Sequence, residues 1–593
     1  MNLMKHLSSP ETVFKAVSLS STHLQSSTGS NGRSAVNELV NVHQRECFKD
    51  SSFYKEIQEI FDVLDDKRKF LLSCFTVFPE NAVVKRRIFV YWGVGVEWWD
   101  ASGIEDEMPE SIVDGILKEF QEKGLIEPAI KKRKLHVKSY KMHPLVRSAV
   151  TMLSQEAGNL FYYDDKGNVP PQKYWASELL HPREEPVVKV NVSFPRCKRM
   201  CLLKVEEKDQ ELKLKLMQQL LEKNPSIPKE SQSTSSSNSE GTHLEKIVTL
   251  FNVNEPFPDL ELAGLMKKKD KNAKQIEVPS AKDWLSKMKD AKVVCLGSWP
   301  GSVKRHIEFL EGLKNSPGLR FLSLQGVPSI TKIPEFIGNH SKLLILDLKE
   351  CHNLVVLSKE IAKLMNLRYL GLSDCYLLAR LPKELSALVQ LQVLKGFVIS
   401  KPQKRGLATL DDLKELKKLR KLTINANFKD FPTDEDLRAL QQLGELGKLT
   451  IEWGVTLAAQ AGEAQNGGDA SCWKIFKSAP KQHNPKAVTE KLPEQLEKLD
   501  LQCFPNSTAT WLTPDSLPYL EKLYIRGGYL ATLDRSKWLK VRALRLKYLR
   551  ELKMNWRELN DSFPHLEYLE KFKCPGITLC PCDEHGVWMK NPD

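Results

Sequence analysis

Near the C-terminus the run CPGITLCPCDEH places Cys574, Cys580, Cys582 and His585 within twelve residues. Thiolates grouped with an imidazole are the ligand types that hold zinc. Their spacing, C-x5-C-x-C-x2-H, is not that of the common zinc modules, and KCPGITLCP fits the closing turn of a structural repeat instead, so no metal is expected. The run Lys131, Lys132, Arg133 and Lys134 could serve nuclear import or touch nucleic acid, but it also fits the solvated tip of a hairpin, as LMKKKDKNAK fits an exposed loop. The helix-like stretch SIVDGILKEFQEKG carries Asp114, Glu119 and Glu122, whereas a DNA-reading helix presents Arg, Lys or Asn. No nucleic-acid partner is expected. A phosphate-binding loop needs G-x-x-x-x-G-K-[ST]; the nearest stretch, TGSNGRS, has the wrong glycine spacing and Arg33 in place of the lysine. No cofactor is expected, and no Ser/His/Asp, Cys/His or paired-carboxylate arrangement reaches motif level, so the chain reads as a non-enzyme.

The bulk properties fit that reading. At 593 residues the chain exceeds one compact core, so several domains or a repeat array are expected. No apolar run approaches the roughly 18 residues of a membrane helix, and MNLMKHLSSPETVF lacks the unbroken apolar stretch of a secretory signal. Twelve cysteines are scattered through apolar segments and read as reduced, buried small hydrophobes. This points to a cytoplasmic compartment, with nuclear import through Lys131–Lys134 left open. The net charge of +13 is spread along the chain and reads as solvated surface.

Periodicity sets the architecture. LRFLSLQG at Leu319, LLILDLKE at Leu343, LRYLGLSD at Leu367 and LQVLKGFV at Leu391 begin 24 residues apart. Leu322, Leu346, Leu370 and Leu394 share the fourth column, and Leu324, Leu348 and Leu372 the sixth. Val327, Cys351 and Cys375 share the ninth, where a small thiol can satisfy backbone groups inside a tight turn. The L-x-L core reads as a short strand with alternate side chains pointing inward, and one such unit cannot bury its apolar face without stacked neighbours. The pattern resembles the leucine-rich repeat, L-x-x-L-x-L-x-x-N/C-x-L. Looser copies begin at Leu419, Leu446, Leu496, Leu520 and Leu566, with less regular units near Val541 and Leu549. Degenerate strands are expected upstream around Leu202, Ile247 and Val294, and residues 224–243 and 454–490 have the composition of disordered insertions.

Residues 55–158 carry helical periodicity instead. RKFLLSCFTVFPE, RRIFVYWGVGVEWW and SIVDGILKEFQEKG read as helices, with Gly124 a stop after the third. A basic turn and strand-like alternation follow, and Pro144 opens a last helix. FLLSCFTVFPENAVVKRRIFVYW, KEFQEKGLIEP and YKMHPLVRSAV resemble the winged-helix segment of plant nucleotide-binding leucine-rich-repeat disease resistance proteins of the coiled-coil class. The resemblance covers roughly residues 55–590. It implies a winged-helix-like domain before the repeats and a phosphate contact for His143. Pro144 stands where the family has Asp, and the family's phosphate-binding loop is missing from this sequence, so His143 is expected to be structural and the nucleotide-binding core absent.

The expected fold is thus α/β: a leucine-rich-repeat solenoid (horseshoe) preceded by a small, mostly helical winged-helix-like domain. The expected division is 1–54 weakly structured, 55–158 winged-helix-like, 159–195 linker and 196–593 repeats. Exposed columns beside the L-x-L strands are the usual partner-binding surface of a solenoid. Here they supply Arg320, Phe321, Asp347, Lys349, Arg368, Tyr369, Arg420, Lys421, Tyr524 and Arg526 as candidates. Trp98 and Trp99 join them because YWGVGVEWW holds more aromatic surface than a small domain easily buries. The resemblance implies a defence role by protein recognition, with a pathogen effector, a guarded host protein or a separate nucleotide-binding receptor half as partner. A general signalling scaffold or adaptor is the alternative.

Overall fold

The computed structural model describes residues 46–78, 82–98, 109–129, 138–156, 161–164, 199–203, 247–252, 285–286, 288–296, 307–328, 330–399, 407–454 and 488–590. Trp99, TGSNGRS, LMKKKDKNAK, the basic run Lys131–Lys134 and the expected insertions, apart from the edge residues of the second, lie outside them. No described helix is long and apolar enough to cross a membrane. The chain divides into two compact units, Met1–Pro300 with Glu308–Phe321, and Gly301–Ile307 with Leu322–Asp593.

The first unit opens with α1 (Glu46–Lys49), α2 (Ser52–Asp62), α3 (Asp66–Thr76), β1 (Val84–Lys85), α4 (Arg86–Gly95) and α5 (Pro109–Glu122). It continues with β2 (Glu127–Pro128), β3 (Ser139–Lys141) and α6 (Pro144–Glu156). Local chemistry fixes the helix ends. The Ser51 hydroxyl accepts from Tyr54 N–H and the Asp65 carboxylate from Arg68 N–H, each satisfying an orphan donor of the first turn. Gly124 takes φ +73° just past α5, and Pro144 occupies the first turn of α6. β3 lies between β1 and β2, antiparallel to both. The buried Arg147 of α6 donates from its guanidinium to the carbonyls of Thr76 at 2.9 Å and Phe78 at 3.0 Å. A cation thereby satisfies carbonyls that the end of α3 leaves without helical partners.

Four parallel strands follow: β4 (Phe161–Asp164), β5 (Arg199–Leu203), β6 (Thr249–Asn252) and β7 (Val293–Cys295). Three coincide with the degenerate strands read around Leu202, Ile247 and Val294. β4 does not; it falls in residues 159–195, expected to be linker, and pairs in register with β5 from Phe161↔Met200 to Asp164↔Leu203. The sequence FYYD has no leucine column to announce it, and its strand character comes from the neighbour it pairs with. Helices and strands of this unit share one aromatic core. Trp92 is fully buried, its ring 4.4 Å from Phe251 of β6, and its Nε1–H donates to Thr249 Oγ1 at 3.2 Å.

β8 (Phe321–Ser323) stands at the division. The second unit then repeats strand and turn: β9 (Ile345–Asp347), β10 (Tyr369–Gly371), β11 (Val393–Ile399), β12 (Lys421–Ala426), α7 (Asp434–Gln441) and β13 (Lys448–Trp453). It closes with β14 (Lys498–Phe504), β15 (Lys522–Gly528), β16 (Ala543–Lys547), β17 (Met554–Asn555), α8 (Trp556–Ser562), β18 (Tyr568–Phe572), β19 (Ile577–Thr578) and β20 (Val587–Met589). β9 to β16 and then β18 pair parallel in sequence order, and β20 closes that edge antiparallel to β18. All five downstream copies, and the irregular unit near Val541, are strands.

Opposite the sheet, 3-10 turns recur at Glu335–Asn339, Lys359–Lys363 and Lys383–Ala387, keeping the 24-residue interval. The leucine columns form the core: Leu346, Leu370 and Leu394 are all completely buried and paired in one row. The ninth place works as its chemistry suggests. Gly326, Glu350 and Asp374 adopt positive φ on the strand-closing turn. The next-residue thiols of Cys351 and Cys375 then donate to the carbonyls of Leu324 and Leu348 in the preceding repeat, each at 3.1 Å. Each thiol thus satisfies a carbonyl inside the coil.

Candidate protein-recognition face

Parallel pairing carries every outward column of the second unit straight across the sheet. One row runs Tyr369, Val393, Lys421, Lys448, Lys498, Lys522, Ala543, Tyr568. Two residues further along each strand runs Gly371, Lys395, Thr423, Thr450, Asp500, Tyr524, Arg545, Glu570. A third row holds Asn425, Glu452, Gln502, Arg526, Lys547 and Phe572. Neighbouring strands lie about 4.8 Å apart, so side chains in a row touch.

Where β14, β15, β16 and β18 adjoin, the rows enclose a depression of about 520 Å³ lined by Asp500, Gln502, Tyr524, Arg526, Arg545, Lys547, Tyr548, Glu570, Phe572 and His585. Tyr524 is its centre. Lys498 Nζ lies 4.7 Å from the ring centroid and the Arg545 guanidinium 4.5 Å, so two cations meet one π-face system. Glu570 holds Arg545 and its neighbour Lys547: Lys547 Nζ is 2.6 Å from Oε1, and Arg545 Nε is 3.0 Å from Oε2 as an ion pair without hydrogen-bond geometry. Tyr568, itself buried, donates from its hydroxyl to Glu570 Oε2 at 3.3 Å. Burial pushes the Tyr568 phenol up to about 12, with the Glu570 charge adding to it. Burial also raises the Asp500 carboxyl, against the opposing pull of Lys498, 3.5 Å away, and of Arg545. The depression is therefore pre-organised: a half-buried ring fixed between cations, with exposed Arg526 at its rim.

Of the residues read from the sequence, Tyr524 and Arg526 meet there. Arg420 stands one residue before the lysine row, 3.0 Å from Glu445, and Lys421 is in that row. Lys349 ion-pairs with Glu350 and, at 3.4 Å, with Asp374; Arg368 is half-buried. Five others are not the open surface expected of them. Phe321 is 2% exposed with its ring 5.7 Å from that of Tyr91, and Arg320 pairs with Glu97, all within the first unit. Tyr369 is 4% exposed under Lys395, whose Nζ is 5.4 Å from its ring. Asp347 is 3% exposed, and its Oδ1 accepts from Lys349 N–H. Gly371 beside both explains the closeness, since a Cβ there would meet Asp347 Oδ1 at 2.7 Å and the Tyr369 hydroxyl at 3.0 Å. Trp98 is half-buried and stacks on Phe70 at 5.0 Å, half-buried Tyr91 meets Phe321 and Trp92 is fully buried, so this aromatic surface is covered in part inside the first unit. Lys498, Asp500, Arg545, Lys547 and Glu570 were not singled out, although each occupies the same offset from its leucine as a residue that was.

Two of the remaining chemical candidates, His143 and Cys574, take up structural contacts. His143 Nδ1 accepts from Leu145 N–H at 3.3 Å at the start of α6, and burial lowers its pKa, favouring the neutral ring that can accept. Cys574 is buried and donates to the Leu546 carbonyl at 3.2 Å, the ninth-place bond once more. Among the described residues no group of three or more His, Cys, Asp or Glu side chains is arranged to hold a metal ion.

With strands, turns and columns in place, the class is plain: the family description of leucine-rich repeat regions matches residues 280–580, and the chain belongs to that family. Within it, the chain is similar to the disease resistance RPP13-like protein 4 of Arabidopsis thaliana, 29% identical over 297 residues. That match covers 48% of this chain and 32% of the relative, so the chain spans about a third of the curated relative's length. It is a leucine-rich-repeat protein, similar over part of its length to a disease resistance protein. Among solved structures, an internalin (InlF) of Listeria monocytogenes is 14% identical over 54% of this chain and 91% of its own, with a TM-score of 0.30. A leucine-rich-repeat protein of Leptospira interrogans is 18% identical over 58% and 81%, with a TM-score of 0.27.

Proposed function

We propose that this chain acts in plant defence by binding another protein on the strand face of its second unit, as a recognition component rather than a catalyst. The observation that carries the reading is the Lys498–Tyr524–Arg545 stack in its depression. Rigid aromatic and arginine side chains fixed before contact lose little freedom on binding, and such residues dominate measured interface energies. Similarity to a disease resistance protein supports the defence setting. The partner classes that fit are a pathogen effector, a guarded host protein or a nucleotide-binding receptor protein. The helices and three-stranded antiparallel sheet of residues 55–158 are read as a winged-helix-like domain ahead of the repeats, supported by their order along the chain.

The test is affinity capture from pathogen-challenged leaf tissue with quantitative mass spectrometry. Tyr524→Ala combined with Arg526→Glu should reduce recovery of a specific protein by about tenfold or more, the equivalent of losing one good contact. Lys359→Glu, on an exposed 3-10 turn opposite the sheet, should leave it unchanged. Equal recovery with the Tyr524/Arg526 variant, shown to melt like the wild type, contradicts the reading.

A further inference from the structure

The segment Leu579, Cys580, Pro581, Cys582, Asp583 joins β19 to the turn that leads into β20. Both of its ends are held. Leu579 takes φ +57° as the chain leaves β19. Asp583 closes the turn: its N–H donates to the Val587 carbonyl at 2.9 Å, and its Oδ1 accepts from His585 N–H at 2.8 Å and Val587 N–H at 3.0 Å. Between these points Pro581 fixes its own φ at about −65° and restricts Cys580 to extended backbone. The two thiols lie side by side on this short tether, with Cys582 donating its S–H to Cys580 Sγ. Other cysteines are placed differently. Cys351, Cys375 and Cys574 are buried and donate to carbonyls of the preceding repeat, whereas Cys580 and Cys582 are half-buried and stand outside that column.

We propose that Cys580 and Cys582 form a reversible dithiol–disulfide site, with Cys580 the thiol that hydrogen peroxide oxidises and Cys582 the thiol that resolves it. The proposal stands apart from the recognition reading. The hydrogen bond from Cys582 brings the Cys580 thiol down from the ordinary 9.0 to about 7, against the opposing effect of burial and with the Lys571 charge assisting. The thiolate is the attacking form. Donating that bond raises the Cys582 thiol, so Cys582 stays protonated until its neighbour has reacted. In the first step the Cys580 thiolate attacks one peroxide oxygen. An S–O bond forms, the O–O bond breaks, and hydroxide leaves and is protonated to water. Cys580 is then a sulfenic acid, which condenses with a thiol. Cys582 loses its proton and attacks the Cys580 sulfur, the S–S bond forms, the S–O bond breaks, and a second water leaves. Two thiols and one peroxide thus give one disulfide and two waters. A ring closed across a single intervening residue is tight, and strained or exposed disulfides are the labile ones, so a dithiol reductant reverses the reaction by exchange.

The test uses the full chain, reduced with dithiothreitol, freed of it and titrated with hydrogen peroxide at pH 7. Remaining thiols are alkylated under denaturing conditions, and the digest is read by tandem mass spectrometry. The peptide that holds Cys574, Cys580 and Cys582 should carry one label, on Cys574, and be lighter by two hydrogens. At the same dose Cys295, the other described half-buried thiol, should remain fully labelled. Dithiothreitol should restore all the labels. Cys582→Ser should leave a sulfenic acid on Cys580 that dimedone traps, and Cys580→Ser should give no adduct on Cys582. Serine keeps a hydrogen-bond donor; Cys582→Ala removes it and should slow Cys580 oxidation about fivefold at pH 7, the lost thiolate being offset in part by greater nucleophilicity. The rate at Cys580 should climb with pH and level off above about 7. Both side chains are half-buried outside the leucine columns, so the variants should melt with the wild type, and the wild-type thiol map decides if one does not. Oxidation of Cys295 ahead of the pair, a link to Cys574, an adduct on Cys582 in place of Cys580, or a Cys580 rate still rising in proportion to hydroxide beyond pH 8 would each overturn the proposal.

Discussion

Leu370→Asp abolishes cooperative folding of the second unit. Leu370 is completely buried and paired on either side with Leu346 and Leu394, both equally buried. The substitution removes about 1.5–3 kcal/mol of apolar burial and sets a carboxylate where no partner awaits it, adding several kcal/mol more or forcing its protonation. Domains hold only about 5–15 kcal/mol in total. In a repeat array each unit is stabilised by its neighbours, so a defect at β10 also strips β9 and β11 of their stacking surface. Circular dichroism melting should show the loss of the main transition, and limited proteolysis should cut within residues 343–399. Leu370→Ile, which preserves volume, should cost less than about 1.5 kcal/mol. An Asp variant that melts with the wild type would mean that Leu370 does not face the core.

Trp92→Ala is the corresponding experiment on the first unit. The indole is completely buried, 5.9 Å from the ring of Phe70, 6.4 Å from Phe78 and 4.4 Å from Phe251. Removing it should cost about 3–5 kcal/mol through lost burial and the cavity left behind. It also orphans the Thr249 hydroxyl, whose residue is wholly buried. Trp92→Phe keeps most of the apolar contact and loses the Nε1–H bond, so about 1 kcal/mol is expected from that bond alone. Denaturant titrations of the two variants separate the terms. A Trp92→Ala protein within about 1 kcal/mol of wild type would contradict the shared helix–strand core, because deletions of that size in packed cores do not come so cheaply.

The repeats were legible because their chemistry is periodic. A fixed interval between Leu319, Leu343, Leu367 and Leu391 specifies strand, turn and inward face together, and Cys351 and Cys375 bond as their small thiols suggested. Irregular intervals did not hide β12 to β16, since an L-x-L or L-x-I core survives in each, whereas in β18 Lys571 stands two places after Leu569. β4 was illegible because FYYD becomes a strand only through pairing with β5. Tyr91 and Trp92 read as surplus surface for a related reason: their partners Thr249, Phe251 and Phe321 lie more than 150 residues away in sequence. Alternation along a strand shows which side chains leave the core, but not which are then covered by neighbours. Tyr369 under Lys395 and Asp347 beside Gly371 are covered; Arg526 is not. The depression itself emerges only when Asp500, Tyr524, Arg545 and Glu570 are aligned at one offset, which the strand register does and single repeats do not.

The most direct test of recognition on the strand face is hydrogen–deuterium exchange of the chain with and without its captured partner. Side-chain docking on that face should slow exchange in Lys498–Phe504, Lys522–Gly528 and Ala543–Lys547, the strands that build the depression. The 3-10 turns at Glu335–Asn339, Lys359–Lys363 and Lys383–Ala387 should exchange as in the free chain. Protection confined to those turns, with the three strands unchanged, would contradict the account.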